Sequence, residues 1–223
     1  MPSRKTVFAI DEYYHICNRG NRKQNIFLDD YDRARFLFLI LYGQSPKALI
    51  NVGRHAAAFV KNKKFNISQK VIDKILSTRV VELHSFALMD NHFHLIVQET
   101  KENGIVTYMQ KVLTALSKYH NTKYAQTGHL LQGPFRSVHI TSNEQLRYAS
   151  AYVHRNPTEI KGWKNREHEY PWSSYSDYKN ENRWGKLLST VILEQFENGN
   201  DYHEWVKESG AKDLPEDYLE NLN

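Results

Sequence analysis

Apolar residues recur along the chain with two different spacings, which separate predicted strands from predicted helices. Alternation and β-prone residues predict four strands, at residues 12–18, 80–89, 90–97 and 137–141. Apolar residues at helical spacing predict a long helix over 105–119 and a shorter one that must end near Asn156, because a proline follows it. Another helix, through 36–41, can begin at Asp29 or Asp30 and is apolar nearly all round, so we expect it to be buried.

The order of these elements predicts the fold class. Strand, helix, strand, strand, helix, strand is the split βαβ arrangement, an α+β fold of the ferredoxin-like kind. We expect an antiparallel sheet with helices on one face, followed by one further helix. Asp90-Asn91 is a tight-turn signal, so the second and third strands should form a hairpin. Gly20, after the first strand, is expected to permit a positive φ in a turn.

Residues 43–79 interrupt this order and are interpreted as a helical insertion. Apolar residues recur there at helical spacing over 67–76, after a group of lysines. The pattern leaves open whether the insertion is a lid, a basic arm or padding. We therefore expect an insertion-bearing domain at 1–180 and a helical, acidic C-terminal extension at 181–223.

Composition excludes several classes of protein. Hydrophobic residues make up 40% of the 223 positions, which is enough for a core. We see no apolar run long enough to span a bilayer and no apolar core of a secretory signal, so no membrane partner is expected. The single cysteine, Cys17, excludes an internal disulfide framework and fits a cytoplasmic protein.

Charge is divided unevenly along the chain. The net charge is +5, but residues 194–223 hold nine acidic and two basic side chains, so the rest of the chain carries +12. A basic body with interleaved aromatic residues suits a phosphate backbone, although lysines are also common as plain solvated surface. The acidic end could fold back on the basic face and compete with DNA, which truncation near Leu193 would test.

Two histidines stand two residues apart in the third predicted strand. Successive side chains of a strand point to opposite faces, so His92 and His94 share one face while Phe93 takes the other. Two imidazoles held this close can bind one metal ion. The alternative is a half-buried strand whose polar face happens to contain histidines.

A tyrosine and an amide share one face of the last predicted helix. Tyr148, Tyr152 and Asn156 lie at i, i+4 and i+8, after a possible cap at Ser142 or Asn143. A phenol and an amide oxygen one turn apart then point the same way. Taken alone, the pattern is equally typical of an amphipathic helix with a tyrosine at its edge.

Together the two groups resemble a known family. His92-Phe93-His94 resembles the HUH motif, and Tyr-Val-His-Arg-Asn-Pro at 152–157 resembles the tyrosine helix of single-tyrosine HUH transposases. The most similar branch is the REP-associated tyrosine transposases. Residues 18–21, 128–133 and 171–175 also resemble that branch, in the same order, so the resemblance runs from about 13 to 178 without the insertion.

The resemblance implies a mechanism and a set of site residues. His92, His94 and Asn156 would bind a divalent metal, Mg²⁺ or Mn²⁺, and Tyr152 would attack a DNA phosphate to leave a 5′-phosphotyrosine. The catalytic residues would be Tyr152, His92 and His94. The residues expected to contact DNA are Arg19, Asn21, Arg22, Lys23, Gln132, Arg136 and Arg155.

Three functions remain open at this point. The first is a metal-dependent endonuclease and transposase that cuts and rejoins single-stranded or hairpin DNA. The second is a hairpin-binding protein without chemistry, and the third is a metal-dependent phosphodiesterase that uses water. Relatives suggest that the tyrosine serves its own chain, so a monomer is expected and a dimer is left open.

Overall fold

A four-stranded antiparallel sheet lies at the centre of the computed structural model, which describes residues 6–47 and 51–211. The strands follow the order β2-β3-β1-β4, with β1 paired to both β3 and β4. Their bounds are β1 Tyr13–Arg19, β2 Val81–Leu88, β3 His92–Glu99 and β4 Arg136–Ile140. The predicted hairpin between β2 and β3 is present, and the α+β, ferredoxin-like fold class is confirmed.

Seven α-helices connect and flank the described strands. They are α1 Asp30–Gly43, α2 Val52–Asn62, α3 Gln69–Leu76, α4 Gly104–Lys123, α5 Asn143–Arg155, α6 Tyr175–Lys179 and α7 Gly199–Glu208. Polar side chains explain where two of them begin. Asp29 accepts a hydrogen bond from the backbone N–H of Asp32 at 2.8 Å, and Ser142 accepts one from Gln145 at 3.1 Å. Each cap satisfies a donor that the helix itself leaves without a partner.

The two faces of the sheet have different partners. Residues paired across antiparallel strands share a face, so Ile16 and Leu95 point together into the apolar layer beneath α1 and α4. On that face the Phe93 ring lies 4.9 Å from the Phe36 ring of α1. The opposite face carries His94, and α5 packs there. The helix with the candidate tyrosine and the two histidines therefore meet on one side of the sheet.

The turn after β1 does not use Gly20 as the sequence suggested. Gly20 has a φ of −59°, while Arg22 and Lys23 adopt left-handed values of 52° and 62°. A Cβ atom on Gly20 would lie 2.1 Å from the carbonyl oxygen of Gln24. The expected positive φ is wrong, and glycine is required here because the chain folds back into contact with itself.

The insertion contains two described helices where the sequence indicated one. The second, α3, was predicted, whereas α2, which buries Val52, Ala56 and Phe59, was missed. The rings of Phe59 and Phe65 pack against Trp184, with centroids 5.4 and 5.3 Å away. The insertion therefore shares an aromatic core with the C-terminal part of the chain.

The C-terminal segment also covers the outer edge of β2. Three backbone hydrogen bonds join them, from Leu88 N–H to Trp172 at 2.9 Å, from Ser174 N–H to Phe86 at 2.9 Å and from Ser189 N–H to Leu83 at 2.8 Å. An edge strand covered in this way cannot pair with another sheet. Of the acidic extension, residues 181–211 contain short 3₁₀ turns and α7, and residues 212–223 lie outside the described part.

No helix among the described residues has the length and apolar character needed to cross a bilayer.

Candidate active site

Pairing of β1 with β3 brings three histidines onto one face of the sheet. The rings of His92 and His94 have centroids 5.1 Å apart, as the alternation of β3 predicts. His15 of β1 joins them, and its ring lies parallel to that of His94, with centroids 5.1 Å apart and an interplanar angle of 4°. All three side chains are buried. The sequence interpretation missed His15 because its position beside His94 depends on the register between two distant strands.

The His92 ring is held in one orientation by the residue before it. Nδ1 of His92 lies 2.6 Å from Oδ1 of Asn91, whose amide nitrogen donates to the carbonyl of Lys23 at 3.1 Å. Because an amide oxygen can only accept, Nδ1 of His92 must be the donor. The lone pair of neutral His92 is therefore on Nε2, the nitrogen that a metal ion would bind.

Tyr152 is the tyrosine that α5 brings to these histidines. Its ring meets those of His94 and His15 edge-on, with centroids 5.5 and 5.7 Å apart, and the side chain is 5% exposed. Tyr148, one turn earlier, packs instead against Trp205 of α7 at 5.4 Å. Of these two tyrosines of α5, only Tyr152 makes ring contacts with histidines of the sheet.

Two further tyrosines near the end of α4 belong to a separate, partly buried cluster. Tyr119 and Tyr124 donate hydrogen bonds to the carboxylate of Asp32, at 2.6 and 2.7 Å. Burial alone would raise the pKa of Asp32, but the bonds from Lys123 and both tyrosines outweigh it and lower that pKa to about 2. This ionised carboxylate ties α1 to α4, so the two tyrosines have a structural role.

Asn156 follows α5 directly and is buried. Its amide nitrogen donates to the carbonyl oxygen of Tyr152 at 2.8 Å, which caps the end of the helix. This bond leaves the side-chain oxygen as the amide atom suited to a cation. The resemblance implied that Asn156 is a metal ligand; the structure shows it as a helix cap, and the ligand role stays a prediction.

A polar pocket of about 490 Å³ opens beside the histidines. Four of the residues expected to contact DNA line it, together with His92, His94 and four further residues. The lining residues are Cys17, Asn18, Arg19, Lys23, His92, His94, Gln132, Gly133, Pro134 and Arg136. Three cationic side chains around two imidazoles make a chemically suitable site for a phosphate group.

The remaining predicted DNA contacts lie elsewhere. Asn21 and Arg22 line a neighbouring polar cleft of about 700 Å³, which amide side chains such as Gln126 also line. The loops of both clefts are joined by the backbone bond from Gln132 N–H to the carbonyl of Arg19, at 2.9 Å. Arg155, at the end of α5, lines neither cleft.

The donor atoms fit a divalent cation with mixed ligands. No group of three or more His, Cys, Asp or Glu residues in the described part of the chain is arranged to hold a metal ion. A cation at His92 and His94 would therefore complete its shell with amide, phosphate or water oxygens. Two imidazoles plus oxygen atoms suit Mn²⁺ and are compatible with Mg²⁺.

Comparisons with known proteins agree with the family recognised in the sequence. The model of the family described as "Transposase IS200 like" matches residues 48–156, a range that contains both histidines and Tyr152. A solved structure described as a REP-associated tyrosine transposase bound to a REP hairpin is similar, with a TM-score of 0.53 and 11% identity over 86% of this chain and 93% of that one. At this identity the structural likeness shows a shared fold. No curated protein matches. The family match and the shared fold both support the resemblance seen in the sequence.

Proposed function

We propose that this chain, which matches the IS200-like transposases, cuts and rejoins single-stranded or hairpin DNA through a covalent bond to Tyr152. The observation that carries the proposal is the contact of the Tyr152 ring with His94, within one chain and beside a basic pocket. A nucleophile, two imidazoles and cationic side chains at one place are the groups that phosphoryl transfer needs.

The proposed step exchanges one phosphodiester for another. Oη of Tyr152 attacks phosphorus, the bond from phosphorus to the 3′ oxygen breaks, and a 5′-phosphotyrosine forms. The phenol proton is lost and the departing 3′ oxygen gains one, so the step is balanced without ATP or another co-reactant. The released 3′-hydroxyl can attack the phosphotyrosine in the reverse step, which rejoins DNA.

Each predicted site residue has a role in this proposal. His92, His94 and Asn156 would hold Mg²⁺ or Mn²⁺, which supplies Lewis-acid polarisation of the phosphate when bound. A phenol ordinarily has a pKa of ~10, so the attacking hydroxyl must lose its proton in the step. Contacts with the nucleic acid are assigned to Arg19, Asn21, Arg22, Lys23, Gln132, Arg136 and Arg155.

The proposal includes a tyrosine that acts within its own chain. The contact of Tyr152 with His94 and His15 involves no second copy, and the outer edge of β2 is covered by residues of the same chain. We therefore propose a monomer as the active form.

A covalent-capture experiment with a matched pair of variants tests the proposal. The protein is incubated with a 5′-labelled and a 3′-labelled single-stranded hairpin and Mn²⁺, then run on a denaturing gel. We expect wild type and Tyr148→Phe to give an adduct that carries the 3′ label, because a 5′-phosphotyrosine retains the 3′ fragment, and Tyr152→Phe to give none.

Other outcomes would replace the proposal. Cleavage without an adduct would indicate a phosphodiesterase that uses water, and a mobility shift without cleavage would indicate a hairpin-binding protein. An adduct that survives in Tyr152→Phe but is absent from Tyr148→Phe would make Tyr148 the nucleophile. Mixing Tyr152→Phe with His94→Ala protein tests action within one chain, since restored adduct formation would require a tyrosine donated by a partner.

A further inference from the structure

His15 is the third histidine on the face that carries the candidate site. In the β1–β3 register Cys17 lies opposite His94. His15, two residues before Cys17, is therefore the diagonal neighbour of His94 on the same face of the sheet. Nε2 of His15 lies 2.9 Å from Nδ1 of His94, and the two rings are nearly parallel. Both side chains are at most 5% exposed. This is a buried, well-formed hydrogen bond between two imidazoles.

Such a bond determines the tautomer of both rings together. One of the two nitrogens must carry the proton and the other the lone pair. If Nδ1 of His94 donates, the lone pair of neutral His94 is on Nε2. If Nε2 of His15 donates instead, His94 keeps its proton on Nε2 and cannot bind a metal through that atom.

The tautomer of the neighbouring histidine, His92, is fixed by its own hydrogen bond. His92 donates from Nδ1 to the amide oxygen of Asn91, as derived above, and so has its lone pair on Nε2. Two adjacent rings on one face can bind one cation through the same atom only if His94 has this tautomer too. Metal-binding histidines commonly donate their second ring nitrogen to a fixed partner, which sets the ring orientation.

We propose that His15 is a positioning residue for the metal site: its Nε2 accepts the Nδ1–H of His94 and so fixes the Nε2 lone pair of His94 toward the cation. His15 makes a second contact in the site, because its ring and that of His94 both lie against Tyr152. One side chain thus supports the ligand and the nucleophile together. The inference rests on the proposed function for its purpose.

Two substitutions separate the hydrogen bond from simple packing. In His15→Gln an amide oxygen can still accept from Nδ1 of His94, whereas His15→Leu fills similar space with no acceptor. His139→Leu is the matched control, because His139 lies in the same sheet, on the opposite face, and pairs with Glu12 at 2.9 Å. The correlation spectra of the variants report whether each is folded.

The first measurement is made without metal or DNA. In ¹⁵N-histidine-labelled wild-type protein, long-range proton–nitrogen spectra should show His94 protonated at Nδ1. We expect the same in His15→Gln and His139→Leu, and a mixture or the Nε2–H form in His15→Leu. A wild-type His94 protonated at Nε2, or an unchanged tautomer in His15→Leu, would overturn the inference.

The second measurement is the affinity for Mn²⁺ alone, from the electron paramagnetic resonance signal of the unbound ion. Loss of a metal ligand's fixed partner weakens binding by roughly ten- to a hundredfold. We expect that loss for His15→Leu, with most of the affinity kept in His15→Gln and all of it in His139→Leu. Equal affinity in all four proteins would also overturn the inference. Neither readout needs covalent capture, so a failed capture experiment would refute the proposed function alone.

Discussion

His84 offers the sharpest test of how burial controls the stability of this fold. It occupies the irregular position of β2, where the pairing with β3 shifts register, and it is 1% exposed. Neither ring nitrogen has a hydrogen-bond partner among the described residues. Burial, assisted by the charge of Arg79, lowers the pKa of His84 to about 3. The imidazole is therefore neutral in the folded protein above about pH 3.

This pKa shift predicts a definite change of stability with pH. An unfolded histidine titrates near pH 6.5, so between pH 6.5 and about 3 the unfolded chain binds a proton that the folded chain does not. The free energy of unfolding then falls as the pH decreases, by ~1.4 kcal/mol per unit. At pH 5 the loss from His84 is roughly 2 kcal/mol.

His84→Leu should remove that loss. We expect the variant to be as stable as wild type or more stable at pH 7, because an imidazole with two unsatisfied nitrogens costs about 1–3 kcal/mol per group to bury. From pH 7 to pH 5 it should lose roughly 2 kcal/mol less than wild type. Urea denaturation followed by circular dichroism at both pH values measures the two differences.

His154→Leu is the matched control, because burial also lowers the pKa of His154 to about 3. Its ring nitrogens, however, have partners: Nδ1 lies 2.6 Å from the hydroxyl of Tyr202, and Nε2 lies 2.7 Å from that of Ser174. This variant should therefore lose stability already at pH 7, yet show the same reduced dependence on pH. If His84→Leu loses as much stability as wild type between pH 7 and pH 5, the assignment of His84 as a neutral buried group is refuted.

Three further predictions concern other parts of the fold. Asp32→Asn should destabilise the protein by about 2 kcal/mol at pH 7, because Lys123 and its neighbours lower the pKa of Asp32 from 3.8 to about 2. This contribution to stability is lost as the pH falls from about 4 to 2. The free energies of unfolding of variant and wild type, measured by urea titration, should therefore converge over that range, and a constant difference would contradict the prediction. Gly20→Ala should lower the melting temperature, since the added Cβ would meet a backbone carbonyl at 2.1 Å; an unchanged melting temperature would show that the turn adjusts freely. Tyr202→Phe should lower the free energy of unfolding, measured by urea titration, by about 1–3 kcal/mol, because a buried nitrogen of His154 loses its hydrogen-bond partner. An unchanged free energy of unfolding would mean that this nitrogen has another partner.

Much of the fold follows from interactions close in sequence. The caps at Asp29 and Ser142 mark where two helices begin, and a proline marks where α5 ends. The alternation along β3 correctly indicates that His92 and His94 share a face, because strand geometry depends on the backbone alone. These features could be predicted since each depends on residues within a few positions of one another.

Features that depend on distant contacts could not be predicted in the same way. His15 stands 79 positions from His94, and only the β1–β3 register brings them together. Several of the aromatic residues interleaved with the basic ones are buried in the core, namely Tyr14, Phe135 and Trp172. Composition alone cannot distinguish an exposed aromatic platform from a packed one, because the same ring serves both roles.

The position of Tyr152 depends on the C-terminal segment as well as on the sheet. Tyr152 and His154 are two residues apart on α5, and at 3.6 residues per turn their side chains point to nearly opposite sides of the helix. Tyr152 meets the histidines of the sheet, while His154 bonds to Ser174 and to Tyr202 of α7. The helix is thus held between the candidate site and the described part of the acidic extension.

Truncation near Leu193 would therefore remove a buried tyrosine together with the acidic charge, so a change in DNA binding could not be attributed to charge alone. Neutralising exposed acidic residues such as Glu197 and Glu208 leaves Tyr202 in place and tests the charge by itself.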